Sequence, residues 1–119
     1  MAGGGFEWDE SPWRPSDAKH GIEGFEWNET KRLIVLRERT IDFRDIAKLL
    51  LGPVVERRSD RDGETRYFAV CRTDNRRFVV IVYTIRGSKL RIITAWPASA
   101  NERRAYLHAF PNPPDEGRD

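Results

Sequence analysis

Cysteine occurs once, at Cys71, so no internal disulfide can form and the fold has to rest on packing and hydrogen bonding. Histidine is nearly as scarce. His20 and His108 are the only imidazoles, and neither stands among other ligands at the spacing a zinc site requires, so no metal and no cofactor is expected. Long apolar runs are missing too: the longest, Phe78 to Tyr83, is far short of the roughly 20 residues a bilayer span needs. The N-terminal stretch is acidic and aromatic, where a signal peptide is basic and then apolar. These absences point to a soluble, cytoplasmic protein with no membrane partner. At 119 residues it has room for one domain and a single modest core.

What the chain does have is charge, unevenly divided. Residues 1–51 carry eight Lys or Arg against ten Asp or Glu, residues 52–110 carry twelve against six, and residues 111–119 return to a net acidic balance. Eleven of the twelve central cations are arginine, whose planar fork pairs bidentately with phosphate and stacks on bases. An anionic partner is one reading of that excess, and solubilising charge on half-exposed strands is the other.

The chain also repeats itself. GFEWD at 5–9 returns as GFEWN at 24–28. Pro12 and Pro15 interrupt any helix after the first copy, whereas the second leads from a short strand (23–27) through the N-cap Asn28 into an unbroken Lys31–Arg39 stretch. A further helix starts with Asp42 as its cap and Ile41 and Ile46 as a hydrophobic staple, and Gly52-Pro53 end it. From Val54 the period changes to that of strands. Runs at about 65–73, 76–85 and 90–95 are separated by Asp74-Asn75 and Gly87-Ser88, with Val54–Arg57 as an edge strand. FVVIVY is apolar on both faces, as a covered central strand is. Residues 101–110 read as a closing amphipathic helix. The expected architecture is α+β: an antiparallel sheet of about four strands, two N-terminal helices and one C-terminal helix packed on it. Residues 1–22 read as an irregular extension and 111–119 as a disordered tail.

Within residues 23–110 the ordered set FEWNETK (25–31), IDF (41–43), SDRDGETRYFAV (59–70), VVIVYTIRG (79–87), RIITA (91–95) and NERRAY (101–106) resembles the BrnT family of bacterial type II toxins, whose fold is similar to that of the RelE ribonucleases. The resemblance implies a metal-independent endoribonuclease that cuts mRNA and halts translation. It also implies a BrnA-like antitoxin partner with a ribbon-helix-helix part, so that DNA is bound only through the complex. Two departures stand out. Where the family has Lys-His-Gly-Ile, this chain has Glu38, Arg39, Thr40 and Ile41, while AKHGI stands intact at 18–22 after the first copy; and where the family has Ser-Ala-Arg, this chain has Thr94, Ala95 and Trp96. Three roles stay open for the first copy: an upstream segment with none, a partial duplication lying on the sheet, or a donor of Lys19 and His20 to the active groove.

Metal-free RNA cleavage drives a ribose 2′-OH onto the adjacent phosphorus, which calls for a base, an acid and positive charge around the phosphorane. Arg86 and Arg91 flank the Gly87-Ser88 turn, and with Arg72 they are the candidate phosphate ligands. Tyr83 and Glu64 are the candidates for moving protons, with His108 near the end of the last helix as a further imidazole. Arg39, Arg77 and Trp96 are expected to touch RNA, Trp96 by stacking on a base. Arginine is no base at neutral pH, so Arg39 in the family's histidine position favours a second reading, a catalytically attenuated homologue that binds RNA or protein. The nuclease reading requires Arg72, Arg86 and Arg91 to line one side of the sheet, unlocked by carboxylates.

Overall fold

Six strands and three helices follow one another along the chain, in a computed structural model that describes residues 11–16, 19 and 21–111. They are β1 (Arg14–Ser16), β2 (Gly24–Trp27), α1 (Glu29–Arg39), α2 (Phe43–Ile46), β3 (Val54–Arg61), β4 (Glu64–Arg72), β5 (Phe78–Arg86), β6 (Lys89–Pro97) and α3 (Ala100–Ala109), with a 3₁₀ segment Ala47–Leu51 after α2. His20, the first FEW copy at 6–8 and residues 112–119 of the tail lie outside the described residues.

The sheet order is β1-β3-β4-β5-β6-β2. The chain is α+β, but the four antiparallel strands expected are six in a mixed sheet. The four central strands form an antiparallel meander. β2 adds to β6 in parallel, because α1 and the meander carry the chain away before β6 returns alongside it. Pairings this distant in sequence leave no local signal. Val54–Arg57 is no edge either, since β3 runs on to Arg61 and is covered by Arg14–Ser16 from the segment expected to be irregular. The β3–β4 turn is Asp62-Gly63 with φ of 55° and 76°, the left-handed pair that a two-residue hairpin demands.

Odd and even positions of β4 and β5 part cleanly between two cores. On one side Ala69, Cys71, Ile81 and Tyr83 meet Val35, Phe43, Ile46 and Leu50 from α1, α2 and the 3₁₀ segment. On the other, Val70 and Val80 pack with Val55, Trp13 and the α3 residues Ala105 and Tyr106. Val79 to Thr84 are accordingly buried without a break, as a doubly covered central strand must be. The second helix is shorter than expected, one α turn tightening into 3₁₀ geometry.

The caps behave as their residue types suggest. Asn28 Oδ1 accepts from the Lys31 N–H at 3.0 Å, and Ser99 with Glu102 forms a full capping box on α3. Arg32 ties α1 to α2: its nearly buried guanidinium bridges Glu29 and Asp42, the latter at 3.0 Å.

Candidate functional site: an arginine face of the sheet

Helix α3 reaches β1, β3 and β4 only at one end of its face of the sheet, and no other described element covers the opposite end of that face. Register places Arg86 opposite Lys89 and Thr84 opposite Arg91, and the bulge at Val82/Tyr83 restores Thr94 to the same side as Val82. Arg86 and Arg91 are therefore diagonal neighbours on the uncovered end, within reach of one phosphate group. Glu64 and Arg66 of β4 stand on the same face by alternation from Phe68 and Val70.

The charges there are organised around Glu64. Arg66 Nε donates to Glu64 Oε1 at 3.0 Å, and Arg86 approaches the other oxygen at 3.6 Å. The hydrogen bond from Arg66, reinforced by the charges of Arg66 and Arg86, holds the Glu64 carboxyl below its ordinary range. Arg91 pairs with Glu26 of β2 at 3.4 Å. Thr84 is buried, its hydroxyl donating to the Thr65 carbonyl at 2.7 Å.

The expected trio of arginines unlocked by carboxylates is not met: Arg86 and Arg91 share a face, but each leans on a carboxylate. Both contacts are long, and the Arg86 and Arg91 side chains are 58% and 28% exposed. Solvent-touching pairs of this kind are worth about 0–1 kcal/mol, which a phosphodiester held by both guanidinium groups can outcompete. Arg72 does not join them. It has the right parity but pairs with Phe78, eight residues before Arg86 on β5, roughly 27 Å away at 3.3–3.4 Å per residue. It lies over the Phe78 ring at 6.0 Å, beside Tyr106.

Tyr83 points to the opposite core. Its hydroxyl donates to Glu56 Oε1 at 2.7 Å, its ring stacks on Tyr67 at 5.1 Å, and burial followed by the Glu56 contact raises its pKa. His108 lies on α3, over the other end of the sheet from Arg86.

The residues expected to touch RNA divide between two places. Trp96 shares the arginine face, half-buried and tilted against Phe68 at 6.0 Å, while Arg57 lies 4.0 Å over the Phe68 ring. Arg39 and Arg77 instead line a cleft of about 610 Å³ between α1, α2 and the β4–β5 turn, whose rim also carries Arg44, Lys48, Asp45 and Asp74. Arg39 is anchored at the free edge of β6, donating to Thr94 Oγ1 at 3.2 Å and to the Ala95 carbonyl at 2.9 Å.

Arg66, Glu26 and Thr84 escaped the sequence reading. Strand alternation alone would have placed Arg66 beside Arg86, whereas Glu26 could be found only by knowing that β2 pairs with β6.

A profile of one protein family matches residues 27–102, and its description is "Ribonuclease toxin, BrnT, of type II toxin-antitoxin system". The chain belongs to the BrnT family. An antitoxin partner follows from membership in a toxin-antitoxin system. The crystal structure of the Brucella abortus ribonuclease toxin BrnT matches with a TM-score of 0.50 at 17% identity, covering 66% of this chain and 99% of that one. At that identity the likeness speaks for the fold. No curated protein matches the chain by sequence. Among the described residues no group of His, Cys, Asp and Glu is placed to hold a metal, and no helix is long and apolar enough to cross a membrane.

Proposed function

We propose that this BrnT-family chain is a metal-independent endoribonuclease that cuts mRNA and so stops translation, acting in the cytoplasm until a BrnA-like antitoxin covers it. The observation that carries this reading is that Arg66 and Arg86, paired with Glu64, and Arg91, paired with Glu26, stand together on the uncovered end of the sheet. Arg86 and Arg91 hold the scissile phosphate and neutralise the charge that builds on the phosphorane. Arg66 keeps Glu64 in place as a carboxylate, which serves as the base toward the 2′-OH. Trp96 offers a stacking platform further along the same face. Catalysis of this kind depends on fixed positive charge more than on proton transfer.

Expressed without its antitoxin, the chain arrests growth, and purified protein generates new RNA ends. Arg86→Ala and Arg91→Ala each lower the cleavage rate by about 10²–10³-fold, the usual effect of losing one preorganised transition-state contact. Growth without arrest, together with intact RNA, would overturn the catalytic reading. The antitoxin carries the ribbon-helix-helix part, so DNA is retained by the complex and not by the toxin alone.

A second reading has its own observation. Arg39, at the family's histidine position, is occupied by Thr94 and Ala95, and Trp96 packs against Phe68 where the family has arginine. An attenuated homologue would keep RNA or antitoxin affinity without cleavage. Gel shifts beside the end-mapping assay separate the two.

A further inference from the structure

Residues 11–16 and Lys19 precede the family-matching region and yet are built into the fold on both sides of the sheet. β1 pairs antiparallel with β3 through Arg14↔Glu56, Pro15↔Val55 and Ser16↔Val54. On the α3 side, Trp13 is 8% exposed, packed with Val55, Ala105 and Tyr106, and Arg57 lies 5.5 Å over its ring. On the opposite side, the Lys19 ammonium meets Glu56 Oε1 at 3.3 Å and Ser16 Oγ at 3.4 Å, 5.7 Å from the centre of the Tyr83 ring, with its side chain 10% exposed. Trp13 and Lys19 are an even number of residues apart, so a straight strand would put both on one face. They grip opposite faces, so Trp13 and Lys19 together clamp the edge of the sheet.

This edge would otherwise be the open ladder of β3, beginning with the fully buried Val54 and Val55. An exposed edge of that kind is a template for pairing with another extended chain. The strand that replaces it as the rim is three residues long with proline at its centre, which can donate nothing to a further strand. The groups that receive the segment form a complete recognition site: backbone ladder on β3, an aromatic pocket under α3 with a cation over it, and an acidic oxygen shared by Glu56 with the Tyr83 hydroxyl.

We propose that the outer edge of β3 is a strand-binding site for an extended peptide bearing an aromatic residue and, six positions later, a cation, and that this chain keeps the site closed with its own Trp13, β1 and Lys19. The proposal is independent of the nuclease reading, since it concerns the far side of the molecule from Arg86.

The test uses the full chain and a fluorescent peptide of residues 11–19. The wild type leaves the peptide unbound, because its own segment is present at high effective concentration. In Trp13→Ala/Lys19→Ala the segment opens, hydrogen exchange at residues 54–56 accelerates, and the peptide binds at least tenfold more tightly than to wild type. Should the double variant fail to fold, Lys19→Ala alone removes the contacts to Glu56, Ser16 and the Tyr83 ring but keeps Trp13, and gives a smaller increase in the same direction. Equal binding by wild type and variant would overturn the proposal, as would an opened variant that binds nothing. So would amides at 54–56 of the wild type that exchange as fast as those of the turns.

Discussion

Tyr83 shows how a single residue can be legible as a type and illegible as a role. The VYT motif and the strand period located it correctly on β5, but only the register reveals that its hydroxyl serves Glu56 on the helix-covered side, facing away from Arg86 and Arg91. Tyr83→Phe should therefore lower stability and leave RNA cleavage as it was. One lost hydrogen bond between part-buried partners costs about 1–2 kcal/mol, with Lys19 still neutralising Glu56. Urea denaturation gives the first number and the end-mapping assay the second; a loss of cleavage without a loss of stability would return Tyr83 to the chemistry. The cations divide for the same reason. Composition marks the arginines as a phosphate-seeking set, but parity and distance along a strand decide which can act together, and by that measure Arg66 replaces Arg72 beside Arg86.

At the level of elements, the residues that start and stop α1 were readable and one stop is paid for in strain. Asn28 caps the helix as its type suggests. Thr40 ends it at φ 59°, the left-handed conformation in which a β-branched side chain crowds its own backbone. The position where the family has glycine is thus filled by one of the residues least suited to it. Thr40→Gly should stabilise the chain by about 0.5–1 kcal/mol, the relief of the left-handed strain less the extra freedom that glycine has when unfolded. A higher urea midpoint with an unchanged slope is the expected signature; no gain would mean that the turn holds Thr40 by contacts stronger than its strain. Strand β1 was the least readable element. Pro12 and Pro15 argue correctly against a helix, but they do not argue against a short rim strand, where a proline turned outward is harmless. β2 was read as a strand, but its parallel partner was hidden for another reason, since only tertiary topology joins it to β6.

For the whole molecule, the carboxylates set how it meets acid and the arginines how it meets RNA. Glu29 is held at about 2 by the hydrogen bond from Arg32, and Asp60 and Glu64 also lie below their ordinary values, through Thr65 and Arg58 in one case and Arg66 in the other. At Asp42 burial works to raise the pKa, but the hydrogen bonds from the Arg44 amide and Arg32 outweigh it. Every folded value is depressed, so the unfolded chain binds more protons as pH falls. The stability from these groups is complete above about pH 4.5 and is lost as pH falls through the folded values toward 2. Denaturation midpoints should be level from pH 7 to 5 and decline steadily below that; a decline already under way at pH 6 would point to a different group. RNA binding carries the remaining test of the arginine face. Two guanidinium–phosphate contacts, from Arg86 and Arg91, release about 0.7 counterion each from a single strand, giving a slope of about −1.4 in log affinity against log salt. Removing Arg86 or Arg91 should reduce that slope by about 0.7, whereas Arg72→Ala, roughly 27 Å along the strand, should leave it unchanged. If Arg72→Ala flattens the slope as much as Arg86→Ala does, the nucleic acid runs the length of the sheet, past α3, and the site is not confined to its uncovered end.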